Sequence, residues 1–282
     1  MIQKSYDGTP TLYLIPTPIG NMDDITLRTI KVIEKVEVLF CEDARTTGIL
    51  LNHLGIKKKM ISNHKFNEQN NKSKIIDYLN RGVDVGLVSD RGTPIISDPG
   101  YILTKYVVES GYNVVSIPGA TAFVPALTSS SINSEHFLFY GFLNSKHSQR
   151  IKELDKLKFE PYTIIFYESP HRVKEAIKDM INTLGNNRFI SISREITKKH
   201  EELYRGKLID SLEYVENIKG EIVIVISGNN KEESYDDIDI NDHIDLYLKQ
   251  DMKVMDAIKQ VAKDRNMKKS DVYMVYHKRE IR

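Results

Sequence analysis

The chain has 282 residues, of which 40% are hydrophobic and 28% are charged, as in a globular protein of two ordinary domains. Its 40 basic and 39 acidic side chains nearly balance, which excludes a generally basic nucleic-acid-binding protein and requires any basic surface to be local. A single cysteine, Cys41, excludes a disulfide framework and a cysteine-rich zinc site.

The first residues contain no apolar segment of the kind that signal peptides have. The longest apolar runs, such as 222–226, are far shorter than the roughly 20 residues that a helix needs to span a membrane. We therefore expect a cytoplasmic protein with no membrane partner.

Short β-branched runs alternate with amphipathic stretches through residues 1–131. The runs predict strands at 12–15, 36–41, 59–62, 83–88 and 114–117. The amphipathic stretches, several of which end at a glycine, predict helices at 25–34, 47–54, 73–79, 101–110 and 121–128. Strands that alternate with helices in this way predict a mostly parallel sheet with both faces covered.

A polar stretch, 129–135, is typical of a hinge, and a second α/β domain is expected at 132–228. Its strands are predicted at 137–140, 162–167, 189–193, 202–204 and 221–227. Its helices are predicted at 149–157, 172–184 and 208–215, and we expect a mixed sheet.

Residues 229–282 are predicted to form an acidic linker followed by a basic helical tail. Seven acidic side chains and one lysine lie between 231 and 245, a composition typical of a solvated linker. From residue 251 onward there are nine basic and five acidic side chains, and apolar residues recur at helical spacing.

Three turn-rich loops, at 16–21, 89–100 and 118–122, each follow a predicted strand of the first sheet. Ligands of open α/β sheets bind beyond the carboxyl ends of the strands, so these loops are expected to converge on one site. Their glycines allow close backbone approach, and their prolines restrict the chain. The dinucleotide-binding, P-loop and nucleophile-elbow motifs are absent, and the histidines lack metal-ligand spacing.

Six segments resemble the ribosomal RNA small subunit methyltransferase I family of the tetrapyrrole methylase superfamily. The resemblance extends from about residue 12 to 227, and more loosely through the C-terminal helices. The segments are PTPIGNMDDIT at 16–26, EDARTT at 42–47, SDRGTPIISDPG at 89–100, FYESPHR at 166–172, REITK at 194–198 and KGEIV at 219–223.

The resemblance implies a two-domain, tetrapyrrole-methylase-like α/β fold, a non-Rossmann methyltransferase, with a small C-terminal helical extension. It implies S-adenosyl-L-methionine-dependent 2′-O-methylation of a cytidine ribose in the decoding region of 16S rRNA, with 16S rRNA or the 30S subunit as partner. It implies a donor held between the two domains, no metal, and a homodimer.

The resemblance also assigns donor-binding positions by matching motif residues. These positions are Pro18, Asp90, Gly92, Thr93, Ile96, Thr121, Ala122, Tyr167, Arg194 and Gly220. Two residues depart from the family's usual pattern, which has a small residue, often alanine, at Arg91 and often threonine at Ala44.

The candidate general bases are Glu42, Asp43 and Glu168, each of which follows a predicted strand, and Glu68. A base is needed because a ribose hydroxyl is a poor nucleophile, and general-base assistance contributes about 10²- to 10⁴-fold. Arg45 is either a partner of the acidic pair before it or a phosphate contact, and Arg172 and Arg194 are candidates to contact phosphate or the donor carboxylate.

Two local basic patches are candidates for RNA contact, namely 146–152 and 263–269 with Lys278, Arg279 and Arg282. Two alternatives stay open at this point. One is a precorrin-type tetrapyrrole methyltransferase, against which the segments at 42–47 and 166–172 argue. The other is a non-catalytic RNA-binding factor of ribosome assembly, against which the intact donor loops argue.

Overall fold

The computed structural model describes residues 2–5, 7–229, 239–249, 252–265 and 267–280. The chain divides into two compact units, Met1–Gly228 and Asn229–Arg282. No helix of the described residues is both long enough and apolar enough to cross a membrane.

The first sheet of the larger unit is entirely parallel, with strand order β3-β2-β4-β1-β5. The central strands β2 and β4 are buried at every position, as expected for a sheet covered on both faces. The prediction of a parallel sheet is confirmed. The strands are β1 Thr11–Leu14, β2 Val38–Cys41, β3 Lys59–Ser62, β4 Val85–Val88 and β5 Asn113–Ser116.

Helices pack against both faces of this sheet. On one face, Ile75 and Leu79 of α3 and Leu103 and Val107 of α4 contact the strands, and on the other the contacts come from α1 and α2. The side chain of Thr26 caps α1 by accepting a hydrogen bond from the Thr29 amide. The helices are α1 Leu27–Lys35, α2 Ala44–His53, α3 Lys72–Asn80, α4 Tyr101–Glu109 and α5 Phe123–Ser129.

The second sheet is mixed, as expected, with strand order β6-β7-β10-β8-β9. Strands β6 and β7 are parallel, and the other neighbours are antiparallel. Its strands are β6 Phe137–Phe142, β7 Thr163–Glu168, β8 Phe189–Arg194, β9 Glu202–Lys207 and β10 Ile222–Ile226. Its helices are α6 His147–Leu157, α7 Val173–Leu184 and α8 Ser211–Tyr214.

The two faces of the second sheet have different coverings. One face packs against α6 and α7, with Leu154, Ile177 and Met180 in a common core with strand residues. The opposite face packs against α5, whose Ala126 and Leu127 lie against Ile165, Val223 and Val225. Since α5 follows the last strand of the first sheet, this packing brings the two sheets together.

The smaller unit contains α9 Ile240–Leu248, α10 Val254–Asp264 and α11 Lys269–Glu280. Its core includes Ile244, Ile258, Val261 and Val272. Helix α9 begins within residues 231–245, the stretch that the sequence predicts to be an acidic linker. The acidic side chains before Asp239 lie outside the described residues. The predicted helices of the tail correspond to α10 and α11.

Candidate functional site

The loops that follow β1, β4 and β5 meet at one edge of the first sheet, as the sequence predicts. Thr17 and Gly92 exchange two backbone hydrogen bonds, of 2.9 Å and 3.0 Å. The hydroxyl of Thr93 donates to the carbonyl oxygen of Ala120 at 3.0 Å. Three loops distant in sequence are thus joined by direct hydrogen bonds.

Gly92 is required at the centre of this arrangement. Its φ of 76° lies in the left-handed region, and a Cβ there would stand 3.2 Å from Ile19 Cγ2 and 3.5 Å from the Ala120 carbonyl oxygen. A larger residue would therefore strain the backbone and press on both neighbouring loops.

Backbone strain concentrates around the same place. Ile95 and Ser97, in the loop after β4, have φ values of 77° and 66°, and Glu195 and Thr197, after β8, have 51° and 66°. These are four of the five non-glycine residues with positive φ in the described part of the chain. Such conformations cost of order 1–3 kcal/mol each and cluster at functional sites.

A cavity of about 230 Å³ lies between these loops and the second sheet. Its walls combine apolar and aromatic side chains with polar groups, as ligand sites typically do. The first sheet contributes Ile19, Arg91, Gly92, Thr93, Ile96, Ser97, Asp98, Thr121 and Ala122, and the second contributes Phe142, Tyr167, Glu168, Ile196, Glu221, Ile222 and Val223.

Six of the ten predicted donor-binding residues line this cavity, namely Gly92, Thr93, Ile96, Thr121, Ala122 and Tyr167. Pro18 and Asp90 line an adjoining cavity of about 400 Å³, which shares Arg91 with the first.

The remaining two predicted residues, Arg194 and Gly220, line neither cavity. The guanidinium of Arg194 donates to the carbonyl oxygens of Lys219 and His200, at 2.7 Å and 2.9 Å, and pairs with Glu202. Gly220 has a φ of 95° and directly precedes the cavity residue Glu221. Both therefore support the backbone at the start of β10.

The carboxylate of Asp43 already forms an ion pair with Arg45. The guanidinium lies 2.6 Å from Asp43 Oδ2, and the Asp43 carboxylate also accepts from the Arg45 amide at the start of α2. These hydrogen bonds lower the pKa of Asp43 to about 2, which makes it a weak base. Arg45 is thus the partner of the preceding acid, one of the two roles expected for it.

Glu168 is buried, lines the cavity and serves as an anchor. Its Oε1 accepts hydrogen bonds from the Ser169 amide at 2.7 Å and from Arg172 at 2.8 Å and 3.1 Å. The guanidinium of Arg172 is therefore already paired with a carboxylate of the protein. Glu68 is also structural, because its carboxylate accepts from the Leu103 amide at 2.8 Å in the first turn of α4.

A cluster of carboxyl groups surrounds the end of the central loop. Burial, together with the negative charge of Asp90, raises the pKa of Glu42, and burial also raises the pKa of Asp90. The pKa of Asp98 rises to about 6, mainly through burial and then through the charges of Glu42 and Asp90. Asp98 lines the cavity, whereas Glu42 does not.

The cavity residues that sequence reasoning missed come mainly from the second sheet. Phe142 turns into the site because β6 has a bulge between Phe139 and Gly141, where Gly141 has a φ of 82°. Its ring contacts that of Tyr167, with centroids 5.6 Å apart. The Gly-Phe pair at the end of a predicted strand was the available signal for this bulge.

Arg91 joins the two sides of the cavity. Its guanidinium pairs with Glu221 at the start of β10, and Glu221 also pairs with Lys198 at 2.8 Å. The ammonium of Lys198 lies 2.9 Å from Glu195 as well. The residue that departs from the family's pattern therefore takes part in a network of charges across the site.

One of the two basic patches is partly structural. Arg150, in the patch at 146–152, is buried and lies 2.6 Å from Asp179, while Lys146 and Lys152 are exposed. In the smaller unit Lys263, Lys268, Lys269 and Lys278 are exposed, and Arg282 lies outside the described residues. Among the described residues no cluster of three or more histidine, cysteine or acidic side chains could hold a metal ion.

Residues 11–210 match the family described as Tetrapyrrole (Corrin/Porphyrin) Methylases. The chain is 41% identical to ribosomal RNA small subunit methyltransferase I of Halalkalibacterium halodurans, over 98% of both chains. It is 40% identical to the protein of the same name from Bacillus subtilis, again over 98% of both.

Two solved structures are similar at 15% identity, which shows the fold alone. The methyltransferase CobJ has a TM-score of 0.61, with 78% of this chain and 95% of that chain covered. Uroporphyrin-III C-methyltransferase from Thermus thermophilus, complexed with S-adenosyl homocysteine, has a TM-score of 0.56, with 77% and 97% covered.

Proposed function

Since the chain belongs to the tetrapyrrole methylase family, and within it to the ribosomal RNA small subunit methyltransferase I family, we propose that it transfers a methyl group from S-adenosylmethionine to the 2′-hydroxyl of a cytidine ribose in 16S rRNA. The observation that carries the proposal is the 41% identity over 98% of both chains. The cavity between the two sheets supports it, because six residues that match donor-binding positions of the family line it, five in the loops of the first sheet and Tyr167 on the second.

The chemistry of the cavity suits a donor with a flat base, a cationic sulfonium and an amino-acid end. The rings of Phe142 and Tyr167 offer an aromatic wall for adenine. Gly92 lets backbone approach closely, and Thr93 and Thr121 add hydroxyl groups.

We assign the adjoining cavity, lined by Pro18 and Asp90, to the acceptor side. It touches the donor cavity at Arg91, and the backbone amide of Asp43 donates to Asp90 Oδ1 at 3.0 Å. Glu42 and Asp43 line neither cavity, and we propose that they act through Asp90, which the Asp43 amide helps to position. Glu168, Arg194 and Gly220 would hold the second sheet's side of the site in place.

Methyl transfer from a sulfonium is an in-line displacement, so the enzyme gains most by aligning the attacking oxygen with the methyl carbon. The hydrogen-bonded loops and the strained residues around them make the donor wall rigid before any ligand arrives. We propose that residues 1–131 and 132–228 form two domains, each built around one of the two sheets.

The decisive experiment is transfer of a tritiated methyl group to unmodified 30S subunits and to naked 16S rRNA, with mapping of the modified nucleotide. Label in the ribose of one cytidine supports the proposal. Label on a tetrapyrrole in a parallel reaction, and none on RNA, would favour the precorrin-type alternative. Donor binding without transfer to any substrate would favour the assembly factor.

We propose that RNA binding involves the exposed lysines of the smaller unit, because the basic patch at 146–152 in the larger unit is partly structural. Changing them to glutamine should weaken 30S or rRNA binding. The slope of the logarithm of the binding constant against the logarithm of the salt concentration should also become shallower, by about 0.7–0.9 for each phosphate that the protein no longer neutralises. Donor affinity should be unchanged. The lysines are Lys259, Lys263, Lys268 and Lys269.

Four exposed lysines of the larger unit provide the matched control, since the same change there removes equal charge. RNA binding that falls equally in both variants would show a general charge effect and would contradict the assignment. The control lysines are Lys31, Lys57, Lys74 and Lys105.

We further propose a homodimer in the cytoplasm, where ribosomal subunits are made. Val124, Phe137 and Tyr162 are between 43% and 49% exposed, around the edge strand β6. Exposed apolar side chains at a sheet edge are typical of an interface. Sedimentation of the wild type and of Phe137→Asp tests this, with a dimer expected only for the wild type.

A further inference from the structure

Asp98 occupies an unusual position in the donor cavity. It follows Ser97, whose φ is 66°, and precedes Pro99 and Gly100, whose φ is 129°. A Cβ at Gly100 would stand 2.8 Å from Leu87 Cδ2 in the core, so that end of the loop is tightly fitted. The left-handed turn and the fitted glycine hold the Asp98 carboxyl at the cavity wall.

Most other carboxylates of the site are engaged by basic side chains, and Glu42 and Asp90, which form no ion pair among the described residues, do not line the donor cavity. Glu168 accepts from Arg172, Asp43 from Arg45, and Glu221 from both Arg91 and Lys198. A carboxylate in an ion pair is a poor proton acceptor, because accepting the proton dissolves the pair.

Asp98 differs from all of them. No lysine, arginine or histidine within the described ranges forms an ion pair with it, and the Ser89 hydroxyl, which donates to the carbonyl oxygens of Arg91 and Gly92, lies near its carboxyl. It is only partly exposed, on a wall that it shares with Thr121, Tyr167 and Glu168. It is therefore a cavity carboxylate that is positioned but not neutralised.

We propose that Asp98 is the general base of the methyl transfer, an inference that rests on the proposed function. Its carboxylate accepts the proton from the attacking ribose hydroxyl as that O–H bond breaks. The oxygen's electron pair forms the new O–CH₃ bond, while the C–S bond breaks and its electrons return to sulfur, leaving neutral S-adenosylhomocysteine. The protonated carboxyl then releases its proton to solvent.

The surroundings suit this role. Glu42 after β2 and Asp90 after β4 face Asp98 with negative charge, while Glu168 of β7 is paired with Arg172 and Arg91 is paired with Glu221. The phenol of Tyr167 also lies near, and burial raises its own pKa. Burial and the charges of Glu42 and Asp90 bring the pKa of Asp98 to about 6, close to the pH at which a base must work.

The sign of the pH effect follows directly. A carboxyl with a pKa of about 6 is charged, and able to accept a proton, above that pH. The rate of transfer should therefore fall as pH drops through about 6, with one proton taken up.

The test is single-turnover methyl transfer to unmodified 30S subunits across pH 5 to 9, with a donor titration for each variant. Asp98→Asn should lose about 10²- to 10⁴-fold in rate and keep its donor affinity within a few-fold. Its pH–rate profile should also lose the fall in rate near pH 6, which we call the acidic limb. Asp98→Glu should keep that limb at a lower rate. Asp98→Asn that retains both the rate and the limb would overturn the proposal.

A second variant avoids dependence on the folding of Asp98→Asn. Glu42→Gln removes a negative neighbour, so the limb should move to lower pH, and an unmoved limb would contradict the inference. Glu109→Gln, an exposed carboxylate on α4, should change neither rate nor limb. Wild-type protein that transfers no methyl group to RNA would refute the proposed function itself, whatever the variants do.

Discussion

The guanidinium of Arg91 pairs with the carboxylate of Glu221, linking the central loop of the first sheet to the middle strand of the second. The two side chains are 50% and 58% exposed, so water and salt screen their attraction. Lys198 contacts the same carboxylate and would still pair with it if Arg91 were removed.

Arg91→Ala should therefore change the free energy of unfolding by less than about 1 kcal/mol, the usual value of an exposed ion pair. Urea denaturation at low and high salt measures this. Lys105→Ala, which breaks a similarly exposed pair with Glu109 inside α4, is the control. A loss well above that of the control would mean that the pair holds the two sheets together.

Gly92→Ala should weaken donor binding as well as stability. The left-handed backbone costs a non-glycine residue roughly 1–2 kcal/mol, and the new Cβ would press on Ile19. Gly55 has a φ of 68° with open space around it, so Gly55→Ala carries the same backbone cost away from the site. Calorimetric titration with S-adenosylmethionine should show reduced affinity for Gly92→Ala alone, and equal affinity in the two variants would contradict this.

Arg150→Ala should destabilise the larger unit by up to about 3–5 kcal/mol, since it removes the buried guanidinium from Asp179 and leaves the His147 ring, at 3.0 Å, as the remaining partner of that buried carboxylate. Lys174→Ala, which removes an exposed pair with Glu216, should cost less than about 1 kcal/mol. Chemical denaturation compares the two. Similarly small losses in both variants would contradict a structural role for Arg150 and would favour the RNA-contacting role predicted for the patch at 146–152.

The smaller unit should lose stability as the medium becomes acidic. His243 is fully buried there, and burial, followed by the charge of Arg265, lowers its pKa, while Asp264 opposes the shift. The unfolded chain thus binds a proton at about pH 6.5, where the folded unit does not, and stability falls as pH drops below that value. Hydrogen exchange of α10, corrected for intrinsic rates, measures the effect.

His243→Gln should reduce this pH dependence even if it lowers stability overall, because the slope reports proton uptake and not packing. If the stability measured by exchange in α10 keeps the wild-type dependence on pH in this variant, the effect belongs to another titrating group.

Local chemistry explains what the sequence could predict. Turn-forming glycines and prolines marked the loops after β1, β4 and β5, and strand ends of a parallel sheet meet at one edge, so the donor wall could be expected. Alternating strands and helices likewise predicted the first sheet. The predicted helix at 208–215 shortens to four residues, because Leu208 is buried under the second sheet before the helix begins.

Long-range pairing explains what could not be predicted. The strand order of the second sheet depends on which distant strands meet, and no local pattern encodes it. Phe142 reaches the cavity only through a bulge, and Glu221 only because β10 lies in the middle of its sheet. Asp98 was visible as a polar residue of the loop, but its neighbour Glu42 comes from another strand end, after β2.

The position of β1 has a consequence for how the protein is made. Among the strands of the described residues it is synthesised first, yet it lies between β4 and β5, with Leu12 opposite Val85 on one side and Val114 on the other. At roughly 5–20 residues per second, the interval before both partners exist is on the order of 10 s. During that time a buried apolar strand has no sheet to join, so the nascent chain is a candidate for chaperone protection while it is still attached to the ribosome.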